Sequence, residues 1–251
     1  NNPEELLDFS AVWSDLMQVC KYMLKHPPPH NFYIREIPVQ VHSKFIEEHS
    51  RILRELLDII LPKGWVDVEE RDFAKRYGFK KPGIHTQIRV LDDVLKPALG
   101  YDECSLPLDD AAWLEWTPEK VFIIENQICY LTFPKVKGAV AIFGEGFKSR
   151  ISKHINWLGN TELYCWFDLD AAGFEMLNMI RQYYPMAKSF LMDKPTFTAF
   201  ESFSVDNKSK KKSLPHLQPD EEALYQFLTD NNKRLEQERI AQQYVLERLP
   251  V

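Results

Sequence analysis

The sequence predicts an α/β protein whose main domain holds a parallel sheet of about four strands flanked by helices. A smaller α+β, winged-helix-like domain is predicted to precede it. The first observation is a series of apolar, strand-like runs separated by segments with helical patterning, and such alternation is typical of a parallel sheet. The runs are VFIIE at 121–125, AVAIFGEG at 139–146, ELYCWFDLD at 162–170 and AKSFLMD at 187–193. The second observation is that three of these runs end on acidic residues, where open α/β sheets place their sites.

The part of the chain before these runs reads as helix, turn, helix and strand, which is the basis for the winged-helix-like prediction. Helices are expected to end at Pro27, at Pro62 with Gly64, and at Gly78, because proline and glycine interrupt helical patterns. Ser43 is a predicted N-cap. The predicted elements are a helix over 3–25, a strand over 31–41, a helix over 44–61, a short helix within 68–79 and a strand over 84–92.

The boundary between the two domains is predicted near residue 116, giving domains 1–115 and 116–251, because residues 100–118 are rich in Pro, Asp and Trp. Within the second domain a loop is expected over 201–219, and it holds the basic run KSKKKS. The helices predicted there are FKSRISKHINWL at 147–158, AAGFEMLNMIRQYY at 171–184, DEEALYQFLTD at 220–230 and NNKRLEQERIAQQYVLERL at 231–249.

Composition excludes several classes of protein. The formal charge of −6 and the pI of about 5.7 argue against strong non-specific DNA binding through a basic surface. They do not exclude DNA, because bound cations reverse the local sign of an acidic site. The four cysteines form no CxxC pair and the histidines show no zinc spacing, so a reduced, cytoplasmic protein without a membrane span is expected. The opening NNPEELLDF lacks an initiator Met, which suggests a fragment of a longer chain.

The candidate site consists of acids at the ends of the predicted strands. Asp168 and Asp170, spaced i and i+2, would point the same way if the strand continued, and two close carboxylates repel unless a cation lies between them. Glu125 ends a buried apolar run, and Asp193 ends the fourth run. Oxygen ligands at this spacing suit Mg²⁺ or Mn²⁺. Gly173 would allow the backbone to approach a phosphate closely.

Each of these features also has a plain structural explanation. Asp168 and Asp170 fit a solvated acidic turn, Glu125 fits an acid at the start of a helix, and Asp193 fits a simple turn. The basic run at 208–213 fits a solvated loop as well as a phosphate contact. The coincidence of four acids at the ends of these predicted strands favours a metal site over the separate explanations.

Several longer motifs, taken in order, resemble the JetD family, whose members are the nuclease subunits of the Wadjet anti-plasmid system. In the second domain the matching segments are IEN at 124–126, IFGEGF at 142–147, WFDLDAAGF at 166–174, SFLMD at 189–193 and RLEQERI at 234–240. Upstream they are REIPV at 35–39, SKFIEEH at 43–49, FAKRYGF at 73–79 and IRVLD at 88–92. The resemblance covers nearly the whole chain.

This resemblance implies a Toprim catalytic domain over 116–251, preceded by a CAP-like DNA-binding region over 1–115. It implies that Glu125, Asp168 and Asp170 are catalytic and bind Mg²⁺ or Mn²⁺, with Asp193 as a further candidate ligand. The expected partners are circular plasmid DNA, an SMC-like ATPase and kleisin-type subunits, with a homodimer possible. The chain departs from the family pattern at Gln127 and Glu145, which puts a second metal site in doubt. Candidate DNA-binding residues are Lys44, Arg76, Arg89, Gly173, Lys210 and Lys211.

Three functions follow from these observations. The leading hypothesis is a divalent-metal-dependent DNA endonuclease that uses water as the attacking group. The alternatives are a non-catalytic Toprim module for DNA binding or assembly, which Gln127 favours, and a topoisomerase-like transesterase. The last would need a nucleophilic tyrosine, and the upstream candidates are Tyr22, Tyr33, Tyr77 and Tyr101.

Overall fold

The computed structural model describes residues 10–42, 44–83, 85–96, 100–115, 117–144 and 155–250. The chain divides into two compact units, Asn1–Pro82 and Gly83–Val251. The division therefore falls about thirty residues before the predicted boundary at 115/116. The reason is that the two strands found between residues 85 and 107 pair with the large sheet of the second unit.

The regular elements within the described residues of the first unit are helices, joined by turns and irregular segments. Helix α1 spans Trp13–Lys25 after a 3₁₀ turn at Ser10–Val12, which confirms the described part of the predicted helix 3–25. The predicted helix 44–61 is two helices, α2 at Phe45–Glu48 and α3 at Ser50–Ile60. Helix α4 spans Phe73–Arg76, and Gly78 follows it with a φ of 74°, the left-handed conformation that glycine adopts readily. The predicted N-cap, Ser43, lies outside the described residues.

The strand predicted over 31–41 is wrong. A 3₁₀ turn at Ile34–Glu36 stands there, stabilised by the Glu36 carboxylate, which accepts the main-chain N–H of Tyr33 at 2.7 Å. Between residues 10 and 82 the described chain has no strand beyond an isolated bridge between Tyr33 and Lys80. The strand required by the α+β, winged-helix-like prediction is instead part of the other unit.

The second unit contains a six-stranded sheet in the order β2-β1-β4-β3-β5-β6. Four neighbouring strands are parallel, as predicted: β4, β3, β5 and β6. At the other edge of the sheet, β1 pairs antiparallel with β4, and β2 pairs antiparallel with β1. The strands are β1 at His85–Val90, β2 at Glu103–Pro107, β3 at Lys120–Ile124, β4 at Ala139–Phe143, β5 at Glu162–Trp166 and β6 at Lys188–Ser189.

Helices and one small ribbon complete the second unit. The helices are α5 at Leu108–Ala112, α6 at Gln127–Thr132, α7 at Ala171–Tyr183, α8 at Lys194–Phe200, α9 at Pro219–Asp230 and α10 at Gln242–Glu247. The ribbon pairs β7 at Val205–Asp206 with β8 at Lys233–Arg234, antiparallel. A 3₁₀ helix covers Asn156–Asn160, and the rest of the helix predicted over 147–158 lies mainly outside the described residues.

The continuous helix predicted over 231–249 is wrong in its first half. Asn232 has a φ of 51°, β8 follows it, and only α10 near the end is helical. Asn tolerates this left-handed conformation better than most residues, which permits the turn from α9 into β8. Tertiary pairing of residues 233–235 with other segments therefore overrides the helical periodicity of the sequence.

The core of the second unit lies on both faces of the parallel strands. Val121, Phe122, Ile123 and Ile124 are fully buried, which explains why β3 reads as a continuous apolar run. Phe122 stacks on Tyr164 at 5.1 Å between ring centroids, joining β3 to β5. The four cysteines are free thiols, as their spacing suggested. Among the described residues, no helix is both long and apolar enough to cross a lipid bilayer.

Candidate functional site

The strand order of the sheet brings three of the predicted acids together. β3 and β5 are adjacent and parallel, so Glu125 after β3 and Asp168 after β5 leave the same edge of the sheet. The Glu125 carboxylate accepts the main-chain N–H of Asp168 at 3.2 Å, and the Glu125 N–H donates to the Trp166 carbonyl at 3.2 Å. The carboxyl ends of two parallel strands thus form the candidate site, as predicted for an open α/β sheet.

Asp168 is buried and binds an arginine that sequence reasoning did not select. Arg234 of β8 donates to Asp168 Oδ2 from Nη2 at 2.6 Å and from Nε at 3.2 Å. The other carboxylate oxygen, Oδ1, accepts the main-chain N–H of Gln237 at 2.9 Å. Both oxygens of Asp168 are therefore hydrogen-bonded within the protein, one of them to a charged group.

Asp170 joins the same network from the start of α7. β5 ends at Trp166, so strand alternation does not align the two aspartates as predicted; instead Asp170 is the N-cap of α7 and accepts the N–H of Gly173 at 2.9 Å. Its Oδ2 accepts from Asn207 Nδ2 at 3.1 Å and lies 3.5 Å from Arg234 Nε. Burial raises the pKa of Asp170, and the neighbouring charge of Asp168 raises it further.

Arg234 thus supplies the cation that the two aspartates were predicted to need. Burial alone would lower the pKa of this guanidinium, but hydrogen bonds and charge from Asp168, with further charge from Asp170 and Glu236, outweigh burial and raise it. Glu236 Oε1 lies 3.5 Å from Arg234 Nη2, at the more exposed side of the site. The guanidinium therefore lies among three carboxylates.

Residues 233–240, here called the crossing segment, run across the carboxyl ends of β3 and β5 and contact residues of the site. Leu235 forms an antiparallel bridge with Leu169, with N···O distances of 2.9 and 3.1 Å. The buried Gln237 side chain donates to the Trp166 carbonyl at 2.8 Å and accepts the Asn126 N–H at 2.7 Å. The segment therefore joins the ends of β3 and β5.

Four site residues were missed by sequence reasoning: Asn126, Asn207, Arg234 and Gln237. Asn126 donates from Nδ2 to Glu238 at 2.7 Å and caps α6 through Oδ1. Two signals pointed towards these residues, since Asn126 belongs to the motif IEN, and Arg234 and Gln237 belong to RLEQERI. Asn207 carried no signal, because its contact with Asp170 is made by folding alone.

Gly173 has a packing role that differs from the predicted approach to a phosphate. Its N–H already caps Asp170. A Cβ atom at this position would lie 2.1 Å from the Asp168 carbonyl oxygen and 3.1 Å from Phe167 Cβ. Glycine is therefore required so that the first turn of α7 can pack against the chain leaving β5.

Asp193 lies on another element and has another set of contacts. It is the exposed N-cap of α8, accepting the N–H of Thr196 at 2.8 Å. It lines a cleft of about 650 Å³ with Lys194 and residues of α9, and that cleft includes none of Glu125, Asp168 and Asp170. The structure therefore shows Asp193 as a helix N-cap in a cleft that lacks the other three acids, and its role as a metal ligand stays a prediction.

Two predicted DNA-binding arginines are engaged inside the protein. Arg76 is buried; its Nε and Nη2 donate to Asp58 at 3.0 and 2.7 Å, and its Nη1 donates to three main-chain carbonyls. Arg89 is half-buried and donates to the carbonyls of Tyr130 and Phe133 at the end of α6. These contacts stabilise the fold, and they argue against direct DNA contact by either residue.

The predicted lysines are on the surface. Lys44, Lys210 and Lys211 are exposed, and Lys211 forms an ion pair with Asp230 at 2.6 Å. The lysine-rich run begins directly after Asn207, whose side chain contacts Asp170. The basic run therefore starts beside the acidic site, which sequence reasoning did not anticipate.

Two further positions bear on the alternatives. Gln127 is exposed at the start of α6, and Glu145 lies outside the described residues. Tyr77 is fully buried and donates to Asp58 at 2.7 Å, and burial raises its pKa well above the usual range. A buried, protonated phenol is not available as a nucleophile, so Tyr77 is unsuited to the transesterase hypothesis.

The donor chemistry of the site fits a hard divalent cation. Glu125, Asp168 and Asp170 offer only carboxylate oxygens, the ligands that Mg²⁺ and Mn²⁺ prefer. Burial raises the pKa of the nearby Cys129 thiol to about 12, so it offers no thiolate. In the arrangement that the described residues adopt, no three Asp, Glu, His or Cys side chains converge on a common metal position. The aspartates are held by Arg234 instead.

The fold and site define a class of protein: an α/β domain with acidic side chains clustered where adjacent parallel strands end. The family model described as Wadjet protein JetD, C-terminal, matches residues 78–249. Because this match covers more than half of the chain, the chain belongs to the JetD family of Wadjet proteins. Residues 1–58 match a second model, described as the N-terminal region of an uncharacterized protein conserved in bacteria. A comparison with curated proteins found no match.

Proposed function

We propose that this JetD-family chain is a divalent-metal-dependent DNA endonuclease, acting on circular plasmid DNA as the nuclease subunit of a Wadjet complex. The observation that carries the proposal is that Glu125, Asp168 and Asp170 follow two adjacent parallel strands and belong to one hydrogen-bonded and ion-paired network. The complex would include an SMC-like ATPase and kleisin-type subunits, as expected for the family.

The three carboxylates would hold Mg²⁺ or Mn²⁺. When bound, such a cation would neutralise charge on a scissile phosphate and lower the pKa of a bound water. The protein contributes the positions of these groups: Asp170 is fixed by the N–H of Gly173, and Glu125 by the N–H of Asp168. Carboxylates held in this way need little reorganisation during a reaction.

The basic run at 208–213 supports DNA as the substrate. Lys208 and Lys210 are exposed and follow Asn207, which contacts the site. Lys211 and Lys212 form exposed ion pairs with Asp230 and Glu175, and such pairs contribute little stability, so a phosphate could exchange with either acid at small cost. A DNA strand following this loop would reach the carboxylates.

The experiment is Mn²⁺-dependent nicking of supercoiled plasmid by the wild type, Glu125→Gln and Asp168→Asn. We expect nicking by the wild type and a loss of at least about a hundredfold in each variant, as is common when a group that stabilises transition-state charge is removed. Asp220→Asn is the matched control, because Asp220 is an exposed acid of α9 and should leave the rate unchanged. Equal nicking by Asp168→Asn and the wild type would refute the proposal.

A second function, a non-catalytic module for DNA binding or assembly, is favoured by one observation. Arg234 neutralises Asp168 and Asp170 without any metal, and an arginine-paired acid cluster is stable by itself. Under this alternative the wild type would neither nick DNA nor bind Mn²⁺, while it would still bind its partner subunits.

A further inference from the structure

The position of Arg234 has a consequence for metal binding at the proposed nuclease site. Its guanidinium bonds Asp168 Oδ2 through two nitrogens and approaches Asp170 Oδ2 at 3.5 Å. The Nε atom of Arg234 therefore lies within 3.5 Å of one oxygen from each aspartate. A cation entering between the aspartates would meet the guanidinium and be repelled by it.

The carboxylates require a cation in this position. The side chains of Asp168 and Asp170 are only 11% and 7% exposed, so solvent screens their mutual repulsion weakly. Removing the guanidinium without replacement would leave two buried like charges together. The site therefore holds a cation of its own, takes a cation from solution or binds a proton.

We propose that Arg234 is an internal counter-ion that is exchanged for the divalent metal, so that the arginine and the metal compete for Asp168 and Asp170. This inference rests on the proposed function, because it concerns the metal that the nuclease would use. Under this proposal Arg234 is a positioning residue. It keeps the carboxylates in place without metal and determines the metal concentration at which the site becomes occupied.

The contacts around Arg234 show how the exchange would take place. Its side chain is 37% exposed, and Glu236, 3.5 Å away and more exposed than either aspartate, offers an alternative partner towards solvent. By contrast, Leu235 and Gln237, which follow Arg234 in the chain, are buried and are hydrogen-bonded to Leu169 and Trp166. The exchange would thus need rotation of one side chain, while the crossing segment stays in place.

The test is calorimetric titration of Mn²⁺ into the full 251-residue chain and its variants, without DNA. Arg234→Gln removes the competing charge, so we expect Mn²⁺ to bind roughly tenfold more tightly, the order expected for losing a charge-assisted hydrogen bond at a partly exposed site. Arg234→Lys keeps the charge but loses the two-nitrogen contact, so its affinity should lie between those of Arg234→Gln and the wild type.

Arg239→Gln is the matched control. Arg239 lies in the same segment, and its replacement by glutamine removes the same charge as Arg234→Gln. Its ion pair is with Glu236 at 3.5 Å, however, and its side chain is 51% exposed. Its Mn²⁺ affinity should stay within about twofold of the wild type. An equal gain in Arg239→Gln and Arg234→Gln would show a general charge effect and overturn the exchange.

A purely supporting role for Arg234 predicts the opposite sign, because loss of support would weaken Mn²⁺ binding. Thermal melting gives a second measure: Arg234→Gln should have a lower Tm than the wild type without metal and a larger rise in Tm on adding Mn²⁺. If the wild type binds Mn²⁺ and Arg234→Gln binds it no more tightly, the exchange is overturned, while the proposed nuclease function is unaffected. Absence of Mn²⁺ binding by every variant and by the wild type would overturn both.

Discussion

Replacing Gly173 with alanine tests whether this glycine serves packing or the approach of a phosphate. An added Cβ would lie 2.1 Å from the Asp168 carbonyl oxygen, whereas ordinary contacts of this kind are 3.4–4 Å, so α7 or the carbonyl must move by more than about 1 Å. The partner is a backbone atom that cannot rotate away. Overpacking of this kind costs about 2 kcal/mol, within the usual range of 1–3 kcal/mol.

For a unit of this size, a cost of about 2 kcal/mol corresponds to a fall in Tm of about 4–8 °C. The assay is thermal unfolding of Gly173→Ala, without DNA or metal, followed by circular dichroism. Gly159→Ala is the matched control, because nothing lies within 4 Å of a Cβ atom at that exposed glycine. A Tm for Gly173→Ala within about 1 °C of the wild type would refute the packing argument.

Three further predictions concern buried polar contacts. In Asp58→Asn, the unfolding free energy should fall by about 1–2 kcal/mol at pH 7, because Arg76 loses a partly buried ionic partner. Burial alone would raise the pKa of Asp58, but hydrogen bonds from Arg76 and Tyr77 outweigh burial and lower the pKa. The stability that Asp58 contributes is therefore present above about pH 4 and is lost as the pH falls below that value. Urea titrations of Asp58→Asn and the wild type that show the same deficit at pH 7 and pH 3 would contradict this prediction. Gln237→Ala leaves a main-chain N–H and a main-chain carbonyl without partners and should cost about 2–4 kcal/mol in urea unfolding, whereas a cost below about 0.5 kcal/mol would contradict the described contacts. Glu221→Gln leaves the buried guanidinium of Arg181 without its charged partner and should cost about 3 kcal/mol or more by the same measurement, with a smaller loss than 1 kcal/mol counting against it.

The parallel strands and the acids that follow them were predictable because both depend on short-range patterns. The run VFII is buried on both faces of the sheet, and such strands read as continuous apolar segments. An acid placed directly after such a run lies at the sheet edge whatever the neighbouring strands are. Glu125 and Asp168 were located in this way.

The strand over 31–41 and the helix over 231–249 were predicted wrongly because local propensity competed with contacts made far along the chain. At 33–36 the Glu36 side chain satisfies the Tyr33 N–H and stabilises a turn. At 233–235 the chain pairs with β7 and with Leu169, and these backbone hydrogen bonds replace those of a helix.

The roles of charged residues were the least accessible part of the site. Lysine and arginine are chemically suited to phosphates at any exposed position, so Arg76 and Arg89 were reasonable candidates for DNA contact. The structure gives both of them main-chain carbonyl partners. Burial, which decides between these roles, depends on the packing of segments tens of residues apart.

By itself the sequence determined the parallel sheet, the acids at its carboxyl edge and the family to which the chain belongs, because apolar periodicity and ordered motifs are properties of contiguous residues. Only the tertiary structure decided which cation neutralises Asp168 and Asp170. Arg234 lies 66 residues beyond Asp168 in the chain and contacts it because the crossing segment folds back over the strand ends. Electrostatic pairing of buried charges depends on distance in space, and no local pattern in the sequence records that distance.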